Sequence, residues 1–122
     1  MKSKESPVNE QQALLYNLSY LEEIGQHDAS FVANMIQLFL SQVPGTLDEL
    51  NHARSVSDRN NIKSLAHRMK SSVDTLGISC LRDTVRDLEA TAPVGSWEEI
   101  DILLATVNEV IPRTMAQLKE IS

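Results

Sequence analysis

The stretch AHRMKSSVDTLG, residues 66–77, decides the fold of this chain. With the residues just before it, this stretch spaces apolar side chains at alternating steps of four and three, namely Ile62, Ala66, Met69, Val73 and Leu76. At about 100° per residue, these side chains lie within roughly 40° of a common direction on a helix. The spacing predicts an amphipathic helix that packs its apolar seam into a bundle and ends at Gly77.

His67 falls on the other side of this predicted helix. It lies about 140° from the apolar seam, so its imidazole is predicted to face water. The neighbours on that side are polar or charged: Lys63, Lys70, Ser71 and Asp74.

An exposed histidine with a lysine three residues later suits phosphoryl chemistry. Neutral imidazole is a nucleophile near neutral pH, and an ammonium group can stabilise the oxygens of a phosphoryl group on its ring nitrogen. Lys70 is within reach of His67, and Ser71 is too small to block an approaching partner. The pair alone is a weak signal, because a surface histidine beside a lysine is usually only a solvated face.

The longer pattern is more specific. It combines His67, Lys70, small residues at 71 and 72, and the Leu-Gly pair at 76–77. This pattern resembles the signature of the histidine-containing phosphotransfer domain of bacterial and eukaryotic phosphorelays. The resemblance implies that His67 is the phosphorylated residue and Lys70 its charge partner. The family most often has glycine directly after the lysine, where this chain has Ser71, which bears on how a partner fits.

Other segments share the resemblance, so that it spans most of the chain. They are residues 15–21, residues 31–39 and the acidic helix that ends in Leu88-Glu89. The resemblance implies that the partners are response-regulator receiver domains and a sensor or hybrid histidine kinase. It also implies that the receiver supplies the divalent metal, so this chain is expected to need no cofactor.

Helix-starting and helix-ending residues divide the chain into one short and four long helices. The predicted helices run from a capping box at 19–22 to Gly25, from Asp28 to about 56, from Asp58 or Asn60 to Gly77, from Ser79 to Ala92, and from a capping box at 96–99 to about 120. Pro44-Gly45 predicts a kink or break, and Pro112 a bend. The predicted fold is all-α, an up-down-up-down antiparallel four-helix bundle with a short additional N-terminal helix.

The second predicted helix carries a surplus apolar stripe of Phe31, Met35 and Leu38, beside its own seam. Such a stripe usually packs on another helix, here the short helix around residues 20–24. The functional alternative is a partly exposed patch near His67 on which a partner docks, together with Lys63, Ser71 and Asp74 on the exposed side of the His67 helix. The sequence is compatible with both interpretations of the stripe.

Composition narrows the class of protein. A length of 122 residues suits one domain, predicted at 11–122 after a polar tail or linker at 1–10. A net charge of −6 with scattered cations argues against nucleic-acid binding. The absence of a long apolar run or signal core predicts a cytoplasmic chain without a membrane segment. The single cysteine, Cys80, is expected to be a small buried residue.

The resemblance implies a phosphocarrier, expected to be a monomer, that accepts a phosphoryl group from one receiver aspartate and passes it to another. His27 and His52 share no metal-ligand spacing with His67, and no nucleotide-binding signature occurs, so autonomous kinase activity is not expected. One alternative is a helical interaction module without phosphoryl chemistry. Another, the dimerisation helices of a histidine kinase, fits poorly because Arg68 and Met69 follow the histidine directly.

Overall fold

A computed structural model describes residues 13–122 of the chain. These residues form five helices and no strand: α1 Ser19–Ile24, α2 Ala29–Ser55, α3 Arg59–Thr75, α4 Ser79–Thr91 and α5 Trp97–Ile121. The predicted all-α bundle with a short additional helix is confirmed. The predicted tail at 1–10 lies outside the described residues.

Most helix starts follow the predicted caps. The Asp58 carboxylate accepts a hydrogen bond from the Asn61 backbone N–H at the start of α3, and a reciprocal capping box joins Ser96 and Glu99 before α5. The capping box predicted at Ser19 is wrong. The N-cap residue is Leu18, which forms no side-chain capping hydrogen bond, and the Asn17 side chain accepts from the Ser19 backbone N–H.

Two further expectations need correction. Helix α2 continues through Pro44 and Gly45, so the predicted break does not occur there. Helix α5 also continues through Pro112, and the bend expected at that residue stays a prediction. Cys80 is exposed, because it is the second residue of α4 and the next residue, Leu81, takes the buried position.

The four long helices enclose a single apolar core. Helix α2 packs against α3 and α5, and α4 packs against α3 and α5, which closes the ring. Asn51 exchanges amide hydrogen bonds with Asn108, and Arg54 pairs with Asp101, so the end of α2 lies beside the start of α5 and the two helices are antiparallel. Fully buried side chains come from every helix, among them Leu21, Leu50, Ile62, Leu65, Leu81, Leu88, Ile100 and Leu118.

Helix α3 is anchored at its first residue. Arg59 stacks on the Trp97 ring, 4.3 Å from its centroid, and donates hydrogen bonds to the carbonyl oxygens of Ala92 and Gly95. Arg54 also stacks on Trp97, at 4.4 Å. These contacts tie the α2–α3 turn to the α4–α5 turn.

A second anchor lies just beyond the other end of α3. Gly77 has a φ of +59°, the left-handed conformation that glycine adopts without strain. The Leu76 carbonyl oxygen accepts a hydrogen bond from the Asn17 N–H at 2.9 Å, which brings the Asn17 backbone against Gly77 where a Cβ would stand. Within residues 13–122, no helix is long and apolar enough to cross a membrane.

Candidate functional site

The predicted seam of α3 is confirmed, and His67 lies on the opposite, exposed side of the helix. All five seam residues are buried: Ile62, Ala66, Met69, Val73 and Leu76. The His67 side chain is 65% exposed, which leaves one edge of its ring open to a partner.

Glu89 on α4 contacts both candidate site residues that the sequence singles out on α3. Its Oε2 lies 2.8 Å from His67 Nδ1, and its Oε1 lies 2.8 Å from Lys70 Nζ. Hydrogen bonding from Lys70, and then from His67, lowers the pKa of Glu89 below its ordinary value. Glu89 is therefore a carboxylate at neutral pH.

This contact determines which ring nitrogen of His67 is free. An ionised carboxylate only accepts hydrogen bonds, so Nδ1 must carry the proton that Glu89 accepts. The remaining nitrogen of a neutral imidazole, Nε2, then keeps its lone pair. The arrangement presents a nucleophilic nitrogen on the surface of α3, held in orientation from α4.

Lys70 is more enclosed than the sequence suggests. Its side chain is 27% exposed, and its ammonium group is bound to Glu89. This position is beside the His67 imidazole, whose phosphoryl group Lys70 was predicted to stabilise. Lys70 therefore neutralises the carboxylate that orients His67.

Ser71 borders a cavity of about 180 Å³ between α2 and α3. Met35, half-buried, and Leu38, 46% exposed, line the same cavity from α2. The structure thus brings Ser71 together with two residues of the predicted apolar stripe, one turn along α3 from His67.

The other residues of the predicted docking surface have separate positions. Phe31 is half-buried, with its ring against Gly25 after α1, as the packing alternative expected. Asp74 is bound to Arg86 on α4, with Arg86 Nη2 2.7 Å from its Oδ2, and this hydrogen bond lowers the pKa of Asp74.

An open groove runs along α3 on the N-terminal side of His67. Its lining residues are Asn60, Lys63, Ser64, His67, Arg68 and Glu89. Lys63 and Ser64 are exposed, and Lys70 does not line this groove.

Sequence reasoning missed Glu89 as a member of the site. It lies 22 residues after His67, on another helix, and only the acidic end of α4 offered a signal. In the part of the chain that the structure describes, no three His, Cys, Asp or Glu side chains form a group that could hold a metal ion.

A comparison with protein families matches residues 34–120, more than half of the chain, to the Hpt domain family. This range includes α3, α4 and most of α2 and α5. No match to the chain was found among the curated proteins or among the solved structures.

Proposed function

The chain belongs to the Hpt domain family, a family of histidine phosphotransfer modules, and we propose that His67 is its phosphoryl carrier. The observation that carries this proposal is the Glu89–His67 contact, because in a neutral imidazole it places the proton on Nδ1 and leaves the Nε2 lone pair free on an exposed ring. His27 and His52 are also exposed, but within residues 13–122 neither imidazole contacts a carboxylate as His67 does.

The proposed reaction is an in-line transfer from a receiver aspartate. His67 Nε2 donates its lone pair to phosphorus, the new N–P bond forms, and the P–O bond to the aspartate breaks. The aspartate leaves as a carboxylate, and the proton on Nδ1 stays in its hydrogen bond to Glu89. The reverse sequence of bond changes delivers the phosphoryl group to a second receiver.

Glu89 and Lys70 act in this reaction through the ring. The carboxylate stabilises the positive charge that His67 gains as Nε2 bonds to phosphorus. Lys70 offsets the negative charge of Glu89, which would otherwise repel the incoming phosphoryl oxygens. A direct contact between Lys70 Nζ and those oxygens, as the sequence predicts, would use an ammonium N–H that does not bind Glu89.

The receiver is proposed to dock over Ser71 and the cavity beside it. Met35 and Leu38 offer apolar surface there, and in-line transfer requires more positioning than one histidine provides. The receiver is proposed to contribute the divalent metal. The module is proposed to act as a monomer in the cytoplasm, downstream of a sensor or hybrid histidine kinase.

The test is transfer of labelled phosphoryl group from a phosphorylated receiver to the purified chain. Label that is acid-labile and base-stable should appear on the parent protein and be absent from His67→Gln. The matched control is His52→Gln, which should be labelled like the parent. Label retained by His67→Gln would overturn the assignment.

The cavity supports a second candidate, an interaction module that binds a partner without phosphoryl chemistry. A receiver that binds the chain tightly, yet transfers no label to it under any metal condition, would favour this second function.

A further inference from the structure

The pairing of Lys70 with Glu89 leaves open which cation faces the phosphoryl group. Phosphoryl oxygens on Nε2 carry close to two negative charges, whereas the charge of Lys70 is already paired with Glu89 at 2.8 Å. The groove beside His67 contains another ammonium group, that of Lys63.

Helix geometry places Lys63 on the side toward which the imidazole points. Side chains on a helix lean toward its N-terminus, so a residue covers the turn that precedes it. His67 therefore leans over the positions three and four residues earlier, which are Ser64 and Lys63. Both residues line the groove together with His67.

The charges around the groove favour an anion at its Lys63 end. Lys63 and Arg68 are exposed cations of the groove, and Glu89 is its carboxylate. Lys70 neutralises Glu89 from outside the groove, whereas within residues 13–122 Lys63 makes no ion pair. Ser64 adds a hydroxyl donor beside Lys63.

From this arrangement we infer that Lys63, with the Ser64 hydroxyl, forms the phosphoryl-oxygen subsite of phosphorylated His67. The inference rests on the proposed function of His67. It gives the two lysines different tasks, since Lys70 holds Glu89 and Lys63 contacts the phosphoryl group.

Phosphoramidate tests this subsite without a receiver. Its phosphorus is attacked by a histidine nitrogen, the N–P bond to the histidine forms, and ammonia leaves as the original P–N bond breaks. A His27→Gln, His52→Gln background confines the label to His67. The second ionisation of the phosphoryl group is then followed by ³¹P NMR at low ionic strength, where charge interactions are least screened.

Lys63→Gln should raise the pKa of the phosphoryl group by about half a pH unit, because a nearby cation favours the dianion. Lys63→Arg, which keeps the charge, should stay near the parent value. The matched control is Lys119→Gln in the last turn of α5, which removes an equal charge far from the groove and should change little.

A Lys63→Gln value equal to that of Lys119→Gln would overturn the subsite, as would a Lys63→Arg value equal to that of Lys63→Gln. Neither result would bear on the proposed function of His67, which the receiver transfer assay tests separately. Failure of receiver transfer alongside a clear Lys63 effect would instead count against the proposed function alone.

Discussion

Glu89 Oε2 lies 2.8 Å from His67 Nδ1, so a carboxylate on α4 contacts the imidazole on α3. The same carboxylate binds Lys70, which makes these three side chains one unit. Substitutions within the unit are therefore expected to be non-additive.

Removing the orienting carboxylate should slow transfer more than neutralising it. Glu89→Ala leaves Nδ1 without a partner and should reduce the rate of receiver-to-His67 transfer by about tenfold to a hundredfold. Glu89→Gln keeps an oxygen that accepts from Nδ1–H and should lose less. Single-turnover transfer gives the rates, and ¹⁵N NMR of the imidazole reports the tautomer. An unchanged tautomer in Glu89→Ala would show that Glu89 does not set it.

Lys70 should matter mainly while Glu89 is charged. Lys70→Ala alone should slow transfer by about tenfold, because an uncompensated carboxylate then faces the phosphoryl group. In a Glu89→Gln background the same substitution should have little effect. Equal rate losses in both backgrounds, measured in the same transfer assay, would mean that Lys70 acts on the phosphoryl group itself.

Bulk at Ser71 should block docking without unfolding the bundle. Ser71→Trp would fill the approach to the cavity lined by Met35 and Leu38, so calorimetry should show loss of receiver binding. Ser71→Gly should be tolerated, at a helix-propensity cost below about 1 kcal/mol. The matched control is Ala105→Trp on the exposed side of α5, which should bind like the parent. Binding that is indifferent to Ser71→Trp would place the docking surface elsewhere.

Alanine substitutions at Gly77 and Gly45 should change the free energy of unfolding in opposite directions. Gly77→Ala places a Cβ against the Asn17 backbone at a positive φ, so it should reduce the free energy of unfolding by about 1–3 kcal/mol. Gly45→Ala meets open space inside α2 and should raise it by up to about 1 kcal/mol. Urea denaturation measures both changes. A stabilised Gly77→Ala variant would contradict the close approach of Asn17.

Acid should destabilise the bundle through its paired carboxylates. The pKa of Glu89 is lowered from 4.5, and those of Asp74 and Asp101 are lowered from 3.8, each by hydrogen bonds from a cation. Because the folded-state pKa is the lower one, the stability they add is present above the unfolded-state pKa and is lost as the pH falls through the folded-state pKa. The melting temperature should therefore decrease once the pH is lowered beyond about 4.5. In Glu89→Gln this fall should be smaller, and an identical pH profile would contradict the Glu89 contribution.

Features that depend on the periodicity of one helix could be predicted from the sequence, whereas a contact between two helices could not. The seam through Met69 and the exposure of His67 follow from the periodicity of α3 alone. The Glu89 contact depends on the rotation of α4 against α3, which no spacing within a single helix specifies. Local signals also compete, as at Ser19, which is the first residue of α1 and not its cap, while the Asn17 side chain accepts from its backbone N–H.

The anchors at both ends of α3 have a consequence for the rate of phosphoryl transfer. Arg59 on Trp97 holds the start of the helix, and Gly77 against Asn17 holds its end. A helix held at two points keeps the imidazole in one position. Under the proposed function, donor and acceptor receivers would meet His67 at that same position, and the exchange of one receiver for the other is then expected to limit the rate of transfer.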